Sequence, residues 1–362
     1  MRIKAAAVNG PGEKIVIEDF FLDEPKHDEV LIKIVGTGIC HTDIVAQHLS
    51  PIYPIVLGHE GAGIVEKVGA SVKDIKPGDK VVISFSYCGS CHHCLEGHPA
   101  SCVHFAMLNG SGMAQDKTYR LFKGQQHVGT FFGQSSLATY VVTHENNVVK
   151  IEDEELDLKL LGPLACGVQT GAGTVLNKLV PPFGSSIAIF GCGTVGLSAV
   201  MAAKIANCSP IIAVDIHEER LELARKLGAT HTIHGKHDDV IKEILRITNG
   251  GASFSVETTG VSDVVLQAIR VLVPRGTAAL VGLAGEITLN VSHDLINLNR
   301  TVVGVIEGDV VPKTFIPKLI SYYKNGEFPF DKLIKFYSPE QINEAIADMH
   351  KGTTVKPVIL FS

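Results

Sequence analysis

Four of the chain's eight cysteines are crowded into one stretch, CGSCHHCLEGHPASC, spaced Cys88-x2-Cys91-x2-Cys94-x7-Cys102. Thiolates two residues apart can reach one metal ion from a tight loop. Four of them close a tetrahedral zinc site and leave no open position for chemistry, so the metal would be structural. Gly89, Gly97 and Pro99 supply the turns such a lobe needs. Iron–sulfur clusters share the Cys-x2-Cys-x2-Cys opening, so that metal stays open at the level of spacing. His92, His93, His98 and His104 lie nearby but exceed what a four-thiolate site requires.

A second set of ligand-type residues is dispersed. GTGICHTDIV carries Cys40, PIVLGHEGAGIVEKVG carries His59, and LGPLACGVQTGAG carries Cys166. Taken singly, each such cysteine is most often a small buried hydrophobe. Together they make a Cys2His set, which leaves one coordination position for water or substrate and so suits a catalytic zinc. Asp43 is a carboxylate able to orient a ligating histidine. Glu60 directly follows His59, as an alternate zinc ligand or a local ion-pair partner.

SSIAIFGCGTVGLSAVMAAKIA reads as a buried strand, a glycine-rich turn and an apolar helix. In the turn, Gly191 allows the tight bend, Gly193 lets a pyrophosphate approach the backbone, and Gly196 permits close helix–strand packing. Thr194 and Val195 fill the positions between, where the helix N-terminus presents N–H groups to phosphates. The next strand, PIIAVDI, ends in Asp215, 19 residues after Gly196. A carboxylate there meets ribose hydroxyls and repels a 2′-phosphate, favouring NAD over NADP.

These residues need elements to hold them. FSVETTG, GTAALVGLAG and TVVGVIEG read as β-branched strands of a parallel sheet buried on both faces. RLELARKLGATHTI reads as a helix ended by Gly228 and then a short strand. Residues 168–305 thus read as an α/β Rossmann domain with a doubly wound parallel sheet. It interrupts a β-rich, barrel-like domain made of 1–167 and 306–362, with the cysteine lobe at 86–104. EVLIKIVGTG, EGAGIVEKVG and DKVVISF supply that body with short strands, while 107–129 is polar and glycine-containing.

Composition agrees with a soluble globular protein. Hydrophobic residues make up 45% and charged ones 19%, and the net charge of −6 comes without long like-charge runs. No nucleic-acid or membrane partner is therefore expected. The N-terminus lacks a signal-peptide pattern and no apolar run is long enough to span a bilayer, so the expected location is cytoplasmic. Thiols stay reduced there, which favours metal over disulfides at the cysteine cluster.

The succession Cys-His-Thr-Asp, Gly-His-Glu-Gly-Ala-Gly, the four-cysteine lobe and the later Cys-x-x-x-x-Gly resembles the zinc-dependent medium-chain alcohol dehydrogenases, end to end as far as KGTTVKPVIL. ATYVVTHENNVVK, LGPLACGVQTGAG and GEFPFDKLIKFY are most similar to the bacterial aryl (benzyl) alcohol dehydrogenases. The resemblance implies a GroES-like catalytic domain, one catalytic and one structural zinc per subunit, NAD, and a homodimer or homotetramer. The implied reaction is reversible oxidation of a primary alcohol to the aldehyde, with metal and nicotinamide between the domains.

By family position, Thr42 accepts the alcohol proton, His41 and Lys356 contact the pyrophosphate, Thr170 packs beside the nicotinamide, and Arg220 reaches the ribose or is a solvated helix cation. Phe85, Phe131 and Phe132 fall near the substrate channel or in the core. As pocket walls they suit an aromatic or allylic alcohol better than an aliphatic one or a polyol. A zinc- and nucleotide-binding redox sensor is the non-enzymatic alternative. One departure stands out: some family members carry a proton-passing histidine five residues after the first zinc cysteine, and here that residue is Val45, with His48 beyond it.

Overall fold

The strand Glu29–Gly38 is the spine of the first of two units, pairing antiparallel with Gly61–Val68, Tyr140–His144 and Lys356–Leu360. The structure is a computed structural model that describes residues 1–361. This first unit comprises Met1–Cys166, Val311–Leu319 and the stretch from Asp331 onward.

Nine of the ten residues in Glu29–Gly38 are buried or half-buried, as expected of a strand with neighbours on all sides. The sheet runs Val148–Lys150, Lys80–Ile83, Gly61–Val68, Glu29–Gly38, Lys356–Leu360, Ile334–Tyr337, with Tyr140–His144 branching from the spine. A closed barrel of Arg2–Val8, Val16–Leu22, Leu121–Lys123, Gln126–Thr130 and Ile55–Val56 adjoins it.

The polar segment 107–129 thus does more than decorate the surface, because it builds barrel strands. Leu121 and Val128 turn inward to join Ile3, Phe20, Leu22, Ile32 and Val65 in one core. Arg120 is buried beside them and forks onto both Glu29 oxygens at 2.7–3.1 Å. A second core gathers Ile39, Leu57, Phe85, Phe131, Phe132, Leu137 and Ile359. Ile39 directly precedes Cys40 and Leu57 stands two residues before His59, so this core anchors the segments that carry them.

The second unit, Gly167–Val310 with Ile320–Phe330, is built on six parallel strands. Their order is His231–His234, Ile211–Asp215, Ile187–Phe190, Ala252–Glu257, Leu272–Leu280, Thr301–Gly304. Ile187–Phe190 and Ile211–Asp215 are buried throughout, which explains why their sequences are runs of apolar residues rather than alternations. The strand order reverses direction beside Ile187–Phe190, the switch point at which doubly wound sheets open a ligand crevice. Gly228, at φ 132°, stops the helix Glu218–Leu227 where a side chain would be strained.

Candidate functional site

Cys40 is the N-cap of the helix His41–Leu49, and its backbone N–H donates to Asp43 Oδ2 at 2.9 Å. An acidic residue at the third helical position can turn back on the cap in this way. The other oxygen of Asp43 accepts from Gly58 N–H at 2.9 Å and lies 3.1 Å from His59 Nδ1. One fully buried carboxylate therefore sets the cysteine loop, the turn before the histidine and the imidazole itself. With Nδ1 held, His59 Nε2 is buried without a hydrogen-bond partner among the described residues.

Donor atoms of Cys40, His59, Glu60 and Cys166 all lie within 4.8 Å of one another. The two cysteines and the histidine come from a helix cap, the turn after Ile55–Val56 and the residue closing the turn Gly162–Ala165. Glu60 is pinned differently. Lys356 Nζ donates to Glu60 Oε1 at 2.8 Å, to Oε2 at 2.9 Å and to Ile39 O at 3.0 Å. Lys356 is only 2% exposed.

Charges in this cluster act on one another. Cys166 beside it, opposed by burial, holds the Cys40 thiol well below its ordinary range, with His59 and Lys356 adding to the effect. Burial opposes a charged His59, but the Asp43 carboxylate and Cys40 outweigh it and raise the imidazole well above its usual range. Burial raises Glu60, with Lys356 opposing. Burial also works against the Lys356 charge, yet Glu60 and Cys40 push that group upward. A metal cation binding here would meet a Cys40 thiolate already favoured and would displace the imidazole proton.

Around this cluster, Thr42 Oγ1 sits 3.6 Å from Cys40 Sγ. The rings of Phe131 and Phe132 lie against His59, 5.4 Å and 4.7 Å between centroids. Phe85 stands farther back, packed on Tyr87 and Phe105 in the core. His41 is exposed with its ring near His350, Val45 is half-buried, and His48 is exposed. Gln134 carries no motif or spacing that marks it in the sequence. Its amide nitrogen bonds the carbonyls of His59, Ile83 and Ser84 at 3.1–3.2 Å and so fixes the backbone beneath the imidazole.

In the lobe, Cys88, Cys91, Cys94 and Cys102 bring four sulfurs within 4.8 Å of one another. Backbone N–H groups of Ser90 and Cys91 point at Cys88 Sγ, and those of Cys88 and His104 at Cys102 Sγ, at 3.3–3.5 Å. Burial works against a Cys88 thiolate, but these amides outweigh it and lower the thiol to about 6. Burial pushes Cys94 up to about 12, and the neighbouring Cys91 and Cys102 sulfurs add to the effect. All eight cysteines are free thiols.

In the second unit the glycine-rich turn joins Ile187–Phe190 to the helix Thr194–Ile205, whose N-terminus no side chain caps. A Cβ at Gly191 would sit 2.5 Å from Thr258 Oγ1, and one at Gly196 would strike the Gly191 carbonyl; at Gly193 it would meet nothing within 4 Å. The turn is thus packed shut at its ends and open in the middle. Asp215 closes it from the side, accepting Cys192 N–H at 2.6 Å, Ile216 N–H at 2.7 Å and His217 N–H at 2.9 Å. Burial and the Asp215 carboxylate push the Cys192 thiol well up, with Arg220 opposing from the helix Glu218–Leu227. Thr170 lies on the helix Gly167–Gly173, its hydroxyl 3.4 Å from Glu307 Oε2.

Comparison with known proteins matches residues 26–153 to the profile "Alcohol dehydrogenase GroES-like domain" and residues 194–324 to "Zinc-binding dehydrogenase". Geraniol dehydrogenase from Castellaniella defragrans is 42% identical over 364 residues, covering 99% of this chain and 97% of its own. The crystal structure of benzyl alcohol dehydrogenase from Acinetobacter calcoaceticus superposes with a TM-score of 0.96 at 43% identity, covering both chains fully. An alcohol dehydrogenase zinc-binding domain protein from Burkholderia ambifaria gives 0.96 at 45% identity, covering 100% of this chain and 99% of its own.

Proposed function

The chain belongs to the zinc-dependent medium-chain alcohol dehydrogenases, and from that membership we propose that its substrate is a primary aromatic or allylic alcohol, oxidised reversibly to the aldehyde with NAD. The observation that carries the reading is His59: a buried imidazole with one nitrogen fixed by Asp43, the other unpartnered, and two phenylalanine rings against its faces and edge. Such a donor set fits zinc, which takes thiolate and imidazole ligands and leaves a position for substrate. The open centre of the Gly191–Gly196 turn likewise fits a pyrophosphate.

In this reading Cys40, His59 and Cys166 hold the catalytic zinc, and Cys88, Cys91, Cys94 and Cys102 hold the structural one. The catalytic metal supplies Lewis-acid polarisation of the alcohol oxygen, and the nicotinamide supplies the hydride acceptor. The chain's own residues do the rest. Asp43 keeps His59 Nε2 in the ligating tautomer. Lys356 holds the Glu60 carboxylate in place beside the cluster. Thr42 Oγ1 takes the alcohol proton and passes it on through ordered water, since Val45 cannot carry it. Phe131 and Phe132 exclude water and give a benzylic or allylic group an apolar wall. Asp215 disfavours a 2′-phosphate, which makes NAD the cofactor.

Names of two relatives, geraniol dehydrogenase and benzyl alcohol dehydrogenase, denote an allylic and a benzylic alcohol and support the same substrate class. The free thiols suit a reducing cytoplasm, and no helix among the described residues is long and apolar enough to cross a membrane. A second copy of the chain is the expected partner, through the unpaired edge of the parallel sheet. The test of substrate class is NAD reduction across benzyl, allylic, short aliphatic and polyol alcohols. Benzyl and allylic alcohols should exceed ethanol in kcat/KM by at least about tenfold, from burial of the extra apolar surface. A polyol as best substrate would overturn the reading.

A further inference from the structure

Phe132 holds a left-handed backbone, at φ 50°. For an aromatic residue that conformation is unfavourable and persists only where the surroundings impose it. Here both backbone polar groups of Phe132 are gripped. Its N–H donates to the Asn109 carbonyl at 3.1 Å, and its own carbonyl accepts from Ser86 Oγ at 3.2 Å. Asn147 Nδ2 donates to that hydroxyl oxygen at 2.7 Å, which leaves the hydroxyl proton for Phe132. A Cβ on Gly133 would lie 2.3 Å from Ser86 Oγ, so the turn is pressed onto Ser86.

Ser86 is held in turn by Asn109. The Ser86 N–H donates to Asn109 Oδ1 at 2.8 Å, and the Ser86 carbonyl accepts from Asn109 Nδ2 at 2.9 Å. The same nitrogen donates to the Phe105 carbonyl at 2.8 Å, one turn back in the helix Phe105–Gly110. An N–H can only donate and a carbonyl only accept, so these partners fix which end of the amide is oxygen. Asn109 is only 3% exposed. The circuit closes on itself: the Asn109 backbone holds Phe132, Ser86 holds Phe132, and the Asn109 side chain holds Ser86.

This clamp has a target. The Phe132 ring lies 4.7 Å from the His59 ring and 4.9 Å from that of Phe131, between centroids. Phe131 has a separate support, its N–H donating to Ser135 Oγ at 2.8 Å, and that hydroxyl donates to the Val56 carbonyl at 2.7 Å. A phenyl ring has no polar atom to fix it, so its place follows from the direction of its Cα–Cβ bond. Release of Phe132 from the left-handed region would redirect that bond and carry the ring off His59.

We propose that Asn109 is a positioning residue for substrate choice: by clamping the Phe132 backbone it keeps that ring beside His59 and sets the preference for aromatic and allylic alcohols over small aliphatic ones. The proposal rests on the substrate reading above. Asn109 acts through Phe132, so its loss falls on alcohols large enough to touch the ring. A residue that merely supported the fold would affect all alcohols alike.

The experiment measures kcat/KM for benzyl alcohol and for ethanol with NAD, using full-length wild type, Asn109→Ala, Phe132→Ala and the double variant. In Asn109→Ala the benzyl/ethanol ratio should fall about two- to tenfold, the worth of one aromatic contact, through a higher KM for benzyl alcohol. In the Phe132→Ala background, adding Asn109→Ala should leave the ratio unchanged, because the clamp then has no ring to place. Should Asn109→Ala not fold, Ser86→Ala removes only the hydroxyl that holds the Phe132 carbonyl and gives the same comparison. An unchanged ratio, an equal loss for both alcohols, or the same fall in the Phe132→Ala background overturns the proposal while leaving the substrate reading intact. A wild type without preference for benzyl alcohol overturns both.

Discussion

Asp43 is no metal ligand, yet Cys40 N–H, Gly58 N–H and His59 Nδ1 all converge on its two oxygens. Replacing it by Asn keeps the shape but puts an amide donor where one of these donors must be accepted. His59 then loses its orienting partner, and partners of this kind are worth about 10–100-fold in metal affinity. The expected result for Asp43→Asn is selective metal loss. After dialysis against a mild chelator, metal analysis should find two zincs per chain in wild type and close to one in the variant, because the lobe's four sulfurs do not depend on Asp43. Two retained zincs would show that Asp43 does not hold the site together.

At the scale of elements, the stretch Val291–Leu295 is tied to the helix Ser262–Arg270 by one carboxylate. Asp294 is fully buried and accepts from Arg270 Nε at 3.0 Å, Arg270 Nη2 at 3.2 Å and Asn290 N–H at 3.0 Å. The Arg270 guanidinium lowers it to about 2 against an ordinary value of 3.8, burial opposing. A carboxylate depressed in the folded state stabilises fully above its unfolded value, and that contribution disappears as pH falls through the folded one. Wild type should therefore lose stability between about pH 4 and pH 2 through this tie, and Asp294→Asn should be flatter there. At pH 7 the variant should be less stable by about 1 kcal/mol, a modest figure because Arg270 is 40% exposed and screened. Urea titrations at stepped pH check both, and parallel curves for the two proteins would remove Asp294 from the acid response.

For the whole molecule, the parallel sheet ends at Thr301–Gly304, which among the described residues has a strand partner on one side only. Unpaired strand edges invite pairing with another chain. Around this one, Leu283 (75% exposed), Val291 (54%), Ile296 (67%) and Ile306 (48%) present apolar surface to water. Two copies related by a twofold axis would cover the edge and this surface together. Sedimentation should show a dimer or a multiple of one, and Ile296→Glu should shift it toward monomer by at least about tenfold in dissociation constant. A wild type that sediments as a monomer at micromolar concentration would rule this interface out.

What was legible in the sequence was local. Cys88, Cys91, Cys94 and Cys102 meet because short spacers bring near neighbours together whatever the rest of the chain does. The Gly191–Gly196 turn and Asp215 sit at strand ends, so consecutive apolar strands in the sequence suffice to predict them and the parallel sheet. Cys40, His59 and Cys166 were recognisable as ligand types, but their convergence depended on the folding of the first unit as a whole. Only the tertiary structure decided which distant groups meet. Lys356 reaches Glu60 across 296 residues, Glu307 reaches Thr170 across 137, and Gln134 reaches the His59 carbonyl across 75. Each involves a common polar residue without periodicity or motif, brought to its partner by strand pairing or by a loop pressed on a helix. Such pairings belong to the packing of cores far from both partners in sequence, and no local pattern of residues encodes them.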